Sequence, residues 1–141
     1  MNNKVQIKIL STQHDISDET METIYTGNYR NLSGKHIISY DEYFEEEGTI
    51  PSKSTNLVKI EGDAIQITKK GTVNTQMYFK SSKDYKDLYQ TPFGSFDMLI
   101  QTERLEIKEM QNQISATICY TLSLNHVPVS KCTIQMEIKE I

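Results

Sequence analysis

Apolar and polar residues alternate along most of the chain with a period of two. The clearest run lies near the C-terminus and consists of Ile114, Ala116, Ile118, Tyr120, Leu122 and Leu124. Successive side chains of a β-strand point to opposite faces of its sheet, so this alternation is typical of a strand with one buried face and one solvated face. The run therefore predicts a long, half-buried strand.

The same alternation recurs throughout the chain and predicts nine or ten strands. They centre on residues 5–9, 21–29, 36–43, 56–60, 65–67, 77–79, 96–100, 105–107, 114–124 and 127–138. Short segments rich in turn residues separate these runs, as hairpins require; the clearest are residues 31–34, 61–63, 70–71 and 125–126. Neighbours in sequence are therefore expected to be neighbours in an antiparallel sheet.

The number of predicted strands bears on whether the sheet is open or closed. An open sheet of this size would leave two unpaired edges, whereas closure into a barrel removes them. We therefore predict an all-β chain that forms a closed or nearly closed up-and-down β-barrel of about eight to ten antiparallel strands. At 141 residues the chain is expected to form one domain, spanning residues 1–141.

In the last predicted hairpin the apolar positions change from odd to even residue numbers. A two-residue turn at Asn125 and His126 pairs Leu122 with Val129, but the later apolar positions, from Ile134 onward, lie on the other parity. One extra residue in a strand produces such a switch, so we predict a β-bulge between Val129 and Ile134. The simple register sets the two cysteines opposite one another and the shifted register separates them; both remain open.

A second departure covers residues 81–95, where the alternation stops. Ser82 or Asp84 can cap a short helical turn, and residues 91–94 have proline and glycine at positions that a tight turn favours. We predict a short helical or irregular segment here. Connections of this length are often lids or plugs; alternatively, Tyr85, Leu88 and Tyr89 only close one end of the core.

Charge and composition exclude several functional classes. The 15 basic and 19 acidic residues are scattered and give a net charge of −4, which offers no broad positive surface for nucleic acid. The sequence has neither the apolar stretch of a signal peptide nor the roughly eighteen apolar residues of a membrane span. We therefore expect a cytoplasmic protein, monomeric or dimeric, with Cys119 and Cys132 as free thiols.

The sequence contains none of the common catalytic or metal-binding motifs. His14, His36 and His126 are far apart and have no cysteine at ligand spacing. A glycine-rich phosphate loop, a dinucleotide fingerprint and a nucleophile elbow are all missing from the sequence. We therefore assign no catalytic residue, no metal ligand and no cofactor.

An acidic segment, residues 41–47, follows the third predicted strand and interleaves carboxylates with aromatic residues. Calcium-binding loops need a glycine and oxygen ligands at fixed offsets, which this segment does not have. It is therefore predicted to be a solvated loop rather than a cation site.

Polar and aromatic residues embedded in the predicted strands are the candidate ligand-binding residues. A barrel of this size is wide enough for side chains or one small ligand, which inward polar groups among apolar walls would orient. A basic group there would favour a ligand with a carboxylate; alternatively, each lysine points outward to solvent. The candidates are Tyr29, Tyr40, Lys59, Tyr89, Thr91 and Tyr120.

A series of short motifs runs in order through nearly the whole chain. They are Gly27-x-Tyr29, Ile37–Glu42, Thr55–Ile60 with Gly62-Asp63, Lys70-Gly71, Gln76–Phe79, Tyr89–Gly94 and Ile100-x-Thr102. As a set, this series resembles the YwiB-like family of small bacterial proteins of unknown function. The resemblance implies a calycin-type, lipocalin-like β-barrel.

Calycins as a group hold small apolar ligands, so the resemblance suggests a function by analogy of fold. The first hypothesis is a protein that binds a small, partly apolar or carboxylate-bearing ligand inside the barrel. The alternative is a protein–protein interaction or structural module with a filled barrel. An enzyme without a known motif is the least favoured hypothesis.

Overall fold

A computed structural model describes residues 1, 3–14, 19–44 and 52–141. All regular elements of these segments are β-strands, and none of the segments contains a helix that could cross a membrane. The strands are β1 (Lys4–Gln13), β2 (Thr20–Leu32), β3 (Lys35–Phe44), β4 (Ser52–Glu61), β5 (Ala64–Lys70), β6 (Thr75–Lys80), β7 (Asp84–Thr91), β8 (Gly94–Met110), β9 (Gln113–Leu124) and β10 (Val127–Glu140).

The ten strands form one antiparallel sheet in the order β6-β5-β4-β3-β2-β1-β10-β9-β8-β7. Strands adjacent in sequence pair with one another, except for β6 and β7, which are the two edge strands. β1 also pairs with β10, so the two ends of the chain meet inside the sheet. The sheet curls until β6 approaches β7, where Asn74 and Gln90 exchange two backbone hydrogen bonds of 2.9 and 3.1 Å. The predicted antiparallel, nearly closed barrel is confirmed.

The core lies inside the barrel and is built from one stripe of each strand. Directly paired residues share a face, as in the row that joins Tyr29, Ile38, Val58, Ile67 and Met77 across β2 to β6. Ten of the inward side chains are large and fully buried: Ile7, Ile38, Ile60, Ile65, Phe79, Ile100, Ile114, Ile118, Met136 and Ile138. Burial of these side chains supplies the main driving force for folding.

The predicted bulge in the last hairpin is present. The pairing of β9 with β10 shifts between Pro128 and Ser130, which leaves Val129 as the extra residue and pairs Leu122 with Ser130. The turn before it has Asn125 and His126 at φ of 51° and 68°, the left-handed conformation that tight two-residue hairpins require.

The bulge also decides the register of the two cysteines. Cys132 pairs with Tyr120 and is buried, whereas Cys119 pairs with Thr133 on the opposite face. The shifted register is therefore the correct one, and both cysteines are free thiols.

The predicted helical or irregular segment at residues 81–95 is wrong. Residues 84–91 form β7, which pairs with β8 from Asp84 to Thr91. The alternation is hidden because Asp87 occupies an inward position and Leu88 is 46% exposed on the outside. The tight turn after β7 is confirmed: the Thr91 hydroxyl accepts from the Phe93 N–H and donates to the Gly94 carbonyl.

Two predicted strands, at residues 96–100 and 105–107, form the single strand β8. Its pairing with β9 shifts between Thr102 and Arg104, so Glu103 is an extra residue. Inward positions are even up to Thr102 and odd from Leu105 onward, which made one strand look like two. The bulge bends β8 without interrupting it.

Candidate functional site

The two ends of the barrel differ in how they are filled. At the end called here the upper end, the odd-numbered strands finish and the even-numbered strands begin. At the lower end the chain termini lie next to one another, and the Ile141 N–H donates to the Lys4 carbonyl at 3.2 Å. The fully buried core side chains occupy the middle and lower part of the interior.

A half-open pocket of about 360 Å³ lies at the upper end, mostly on the inner faces of β1, β2, β9 and β10. Its floor includes Tyr120, whose ring centroid lies 5.0 Å from that of Phe79 in the core. Ser11 and Gln13 add polar groups to a wall that is otherwise mainly apolar. The lining residues are Ser11, Thr12, Gln13, Glu19, Met21, Tyr120, Cys132 and Ile134.

One row of paired residues crosses the pocket floor. Gln13 pairs with Cys132, Cys132 with Tyr120, and Tyr120 with Thr102. The buried hydroxyl of Thr102 has no hydrogen-bond partner among the described residues. Such a group is costly to bury, so this row has hydrogen-bonding capacity that the surrounding strands leave unused.

Burial favours the neutral form of two tyrosines on the inner face, Tyr40 and Tyr120. It is the main cause that raises the pKa of Tyr120, and the neighbouring Cys132 and Tyr89 raise it further. Burial likewise raises the pKa of Tyr40, with added effects from Glu42 and Tyr25. Both hydroxyls are therefore protonated at neutral pH and can donate a hydrogen bond.

A polar cluster centred on Glu42 lies on the inner faces of β2 to β5 near the upper end. The Glu42 carboxylate accepts from Asn56 at 2.8 Å and from the Tyr25 hydroxyl at 3.2 Å. Lys69 forms an ion pair with it at 3.2 Å, and the Tyr25 and Tyr40 rings stack at 4.6 Å. Since its partners satisfy the carboxylate, the cluster is a closed network and leaves no unpaired charge facing the interior.

A second polar chain, at the lower end, joins Tyr29, His36 and Glu109. The Tyr29 hydroxyl lies 2.6 Å from His36 Nδ1, and His36 Nε2 lies 2.8 Å from Glu109. In neutral His36, Nε2–H donates to the carboxylate and Nδ1 accepts from Tyr29. The order of these three residues resembles that of a nucleophile, a base and an orienting acid. Tyr29 is buried, however, so we interpret the three hydrogen-bonded residues as a structural contact between β3 and β8.

The structure separates the six predicted ligand-binding residues. Tyr120 lines the upper pocket, and Tyr89 lies close enough to affect its pKa. Tyr40 belongs to the Glu42 cluster, Tyr29 lies at the lower end, and Thr91 stabilises the β7–β8 turn.

Of the two orientations that the sequence leaves open for Lys59, the structure shows the outward one. Lys59 is exposed on the outer wall, because its neighbours Val58 and Ile60 take the inward positions of β4. The one lysine of the Glu42 cluster, Lys69, is already paired. The expectation that a basic group inside the barrel favours a carboxylate ligand therefore loses its support.

Several lining residues were not recognisable from the sequence. Ser11, Gln13 and Met21 look like ordinary strand-end residues, and Cys132 is predicted only to be a free thiol. Parity could have identified Cys132, since it lies two positions before Ile134 on the same face.

The acidic segment differs from its prediction as a solvated loop. Glu42 is part of β3, and its side chain is only 15% exposed, because even positions of this strand face inward. Glu45, Glu46 and Glu47 lie outside the described residues. In the part of the chain that the structure describes, no group of three or more His, Cys, Asp or Glu residues is arranged to hold a metal ion.

Comparison with known proteins agrees with this architecture. The family model for a domain of unknown function, DUF1934, matches residues 5–136. The fold is similar to the crystal structure of the ywiB protein from Bacillus subtilis, with a TM-score of 0.76 and 17% identity over 98% of this chain and 90% of that chain. No curated protein matches this chain. The predicted resemblance to YwiB-like proteins is confirmed, and the chain belongs to the DUF1934 family.

Proposed function

We propose that the protein binds a small, partly apolar molecule in the pocket at the upper end of the barrel. The observation that carries the proposal is the half-open pocket of about 360 Å³ on the inner wall. Small-molecule sites are concave, mainly apolar and supplied with a few polar groups, typically in about 300–1,000 Å³. The pocket matches this description in volume and in lining.

The polar groups suggest an uncharged ligand with a hydrogen-bonding group at one end. Tyr120 supplies a protonated hydroxyl on the floor, and Ser11 and Gln13 supply further polar groups on the wall. Among the described lining residues there is no basic side chain, so an anionic ligand would have no charge partner in the pocket. An alcohol, amide or neutral ring fits these groups better than a carboxylate.

Binding of matched probes tests the proposal. We expect 1-octanol to bind saturably, and octanoate to bind more weakly, in titrations followed by NMR. Ser11 pairs with the exposed Met21 near the mouth, so a larger side chain there can enter the pocket without displacing the core. Ser11→Phe is therefore expected to abolish binding without lowering the melting temperature appreciably.

Gln101→Phe is the matched control, since it places the same ring at an exposed position of β8. It is expected to bind 1-octanol as the unmodified protein does. Equal binding by Ser11→Phe, or the absence of saturable binding together with no co-purifying molecule in native mass spectrometry, would contradict the proposal. That outcome favours the interaction or structural module instead.

A further inference from the structure

A second concave site lies on the outer wall of the barrel, away from the upper pocket. It is a half-open groove of about 650 Å³ across β3 to β6, bounded by the β2–β3 and β4–β5 turns. Two neighbouring rows of paired residues line it. One row is Ile37, Lys59, Gln66 and Tyr78, and the other is Glu61, Ala64 and Lys80, with Lys35 beside Glu61.

The charges of the groove leave one lysine without a partner. Lys35 pairs with Glu61 at 3.7 Å, and Lys80 pairs with Asp63 at 3.9 Å. Lys59 lies in the neighbouring row, between Ile37 and Gln66, and makes no ion pair among the described residues. The groove therefore has a net positive charge although the whole chain has a net charge of −4.

The walls beside Lys59 are suited to a flat apolar group. Ile37 lies directly opposite Lys59 on β3, and Tyr78 lies two strands away in the same row. The Tyr78 ring packs against Tyr85, with ring centroids 5.9 Å apart, which holds this wall in place. Gln66, between Lys59 and Tyr78, can both donate and accept a hydrogen bond.

From these contacts we infer that the groove binds a small aromatic molecule that carries one carboxylate or phosphate. The anionic group pairs with Lys59, and the ring lies across the row towards Tyr78, where stacking on an aromatic face is favourable. The two ion pairs flank the site and leave Lys59 as its anion-binding group. This site is separate from the upper pocket and does not depend on the function proposed for it.

Pairs of probes that differ in charge test the inference. Indole-3-acetate is compared with indole-3-ethanol, and adenosine monophosphate with adenosine, by calorimetry and by NMR shifts of the Ile37 methyl groups. We expect the anionic member of at least one pair to bind saturably and to shift Ile37. Binding of indole-3-acetate indicates a carboxylate ligand, and binding of adenosine monophosphate indicates a phosphate ligand.

Lys59→Met removes the charge and keeps the length of the side chain. Because hydrogen bonds to charged groups are worth more than neutral ones, this variant is expected to bind the anionic probe about tenfold more weakly or worse. Lys139→Met, at an exposed position of β10, is the matched control and is expected to bind normally. Ser11→Phe is also expected to bind normally, which separates this site from the upper pocket.

Three results would overturn the inference. They are equal affinity for the neutral and anionic members of both pairs, unchanged affinity in Lys59→Met, and no saturable binding of either anionic probe. Lys59 is exposed, so the variant is expected to fold, and its melting temperature checks this directly.

Discussion

Gly27 is a residue at which the inner face of the barrel has no room for a side chain. A Cβ at this position would overlap the Ser39 carbonyl oxygen and lie 2.7 Å from Ile7 Cδ1 and 3.1 Å from Tyr40 Cβ. Two of these contacts involve core side chains, and the third is backbone, which cannot move without disturbing β3. The missing side chain thus lets β2 and β3 carry the stacked rings of Tyr25 and Tyr40.

We predict that Gly27→Ala destabilises the protein by about 1–3 kcal/mol, the usual cost of overpacking a core. Urea unfolding followed by circular dichroism measures the change. Thr26→Ala, one residue away at an exposed position, is the control and should alter the free energy of unfolding much less. Equal stability of Gly27→Ala and the unmodified protein would show that β3 moves freely at this point.

The strands differ in how completely their backbone hydrogen bonds are satisfied. β9 lies between β8 and β10 and pairs with both along most of its length. β6 and β7, in contrast, each pair with one neighbour and meet at the single bridge between Asn74 and Gln90. The barrel thus has a seam, and it lies between two central hairpins rather than at the chain ends.

The seam predicts an alternating pattern of hydrogen exchange. In an antiparallel strand, successive N–H groups point to opposite neighbours, so every second amide of β6 and β7 faces the seam. We expect these amides to exchange much faster than their sequence neighbours, apart from Gln90, whose N–H donates to Asn74. Residue-resolved exchange measured by NMR tests this, with the uniformly protected amides of β9 as the internal control.

Uniform protection along β6 and β7 would contradict the pattern, since it would require a continuous hydrogen-bonded ladder across the seam. Fast exchange of all amides in both strands would also contradict it, because β5 and β8 each satisfy half of these groups.

At the scale of the whole molecule, four buried or half-buried tyrosines make the stability depend on alkaline pH. Burial raises the pKa of Tyr85 to about 12, and its hydrogen bond to Asp87 adds to the shift. Burial also raises the pKa of Tyr25, Tyr40 and Tyr120 above 10.0. The fold therefore favours the neutral phenols, whereas the unfolded chain ionises them near the ordinary value.

The sign of the effect follows from proton binding. Above about pH 10 the unfolded state releases tyrosine protons that the folded state still holds, so unfolding becomes more favourable as the pH rises. The stabilisation is complete below about pH 10 and is lost progressively towards about pH 12. We expect the free energy of unfolding to fall across this range.

Urea unfolding at constant ionic strength, with tyrosinate absorbance as a second signal, measures this dependence. Tyr85→Phe removes one of the four groups and is expected to reduce the slope, which separates the tyrosine contribution from that of lysine deprotonation. A free energy of unfolding that is independent of pH over this range would refute the prediction.

The sequence alone determined the features that depend on local preference. Period-two alternation predicted every strand except β7, although it divided β8 into two. Turn residues predicted the hairpins and therefore the order of pairing. The change of parity before Ile134 predicted the bulge that the structure places at Val129. Alternation could also have assigned the two lysines: Lys59 lies next to the inward Ile60 and therefore points outward, whereas Lys69 lies two positions after the inward Ile67 and therefore points inward.

Only the tertiary structure decided how these elements meet. Curling of the sheet brings β6 to β7, and the bulge in β8 changes which side chains of that strand face inward. β7 was not predicted because its apolar and polar positions alternate only weakly. Near the upper end of the barrel, an inward Asp87 and an outward Leu88 cost little free energy. The upper pocket and the outer groove likewise collect residues distant in sequence, and no local pattern encodes the space between them.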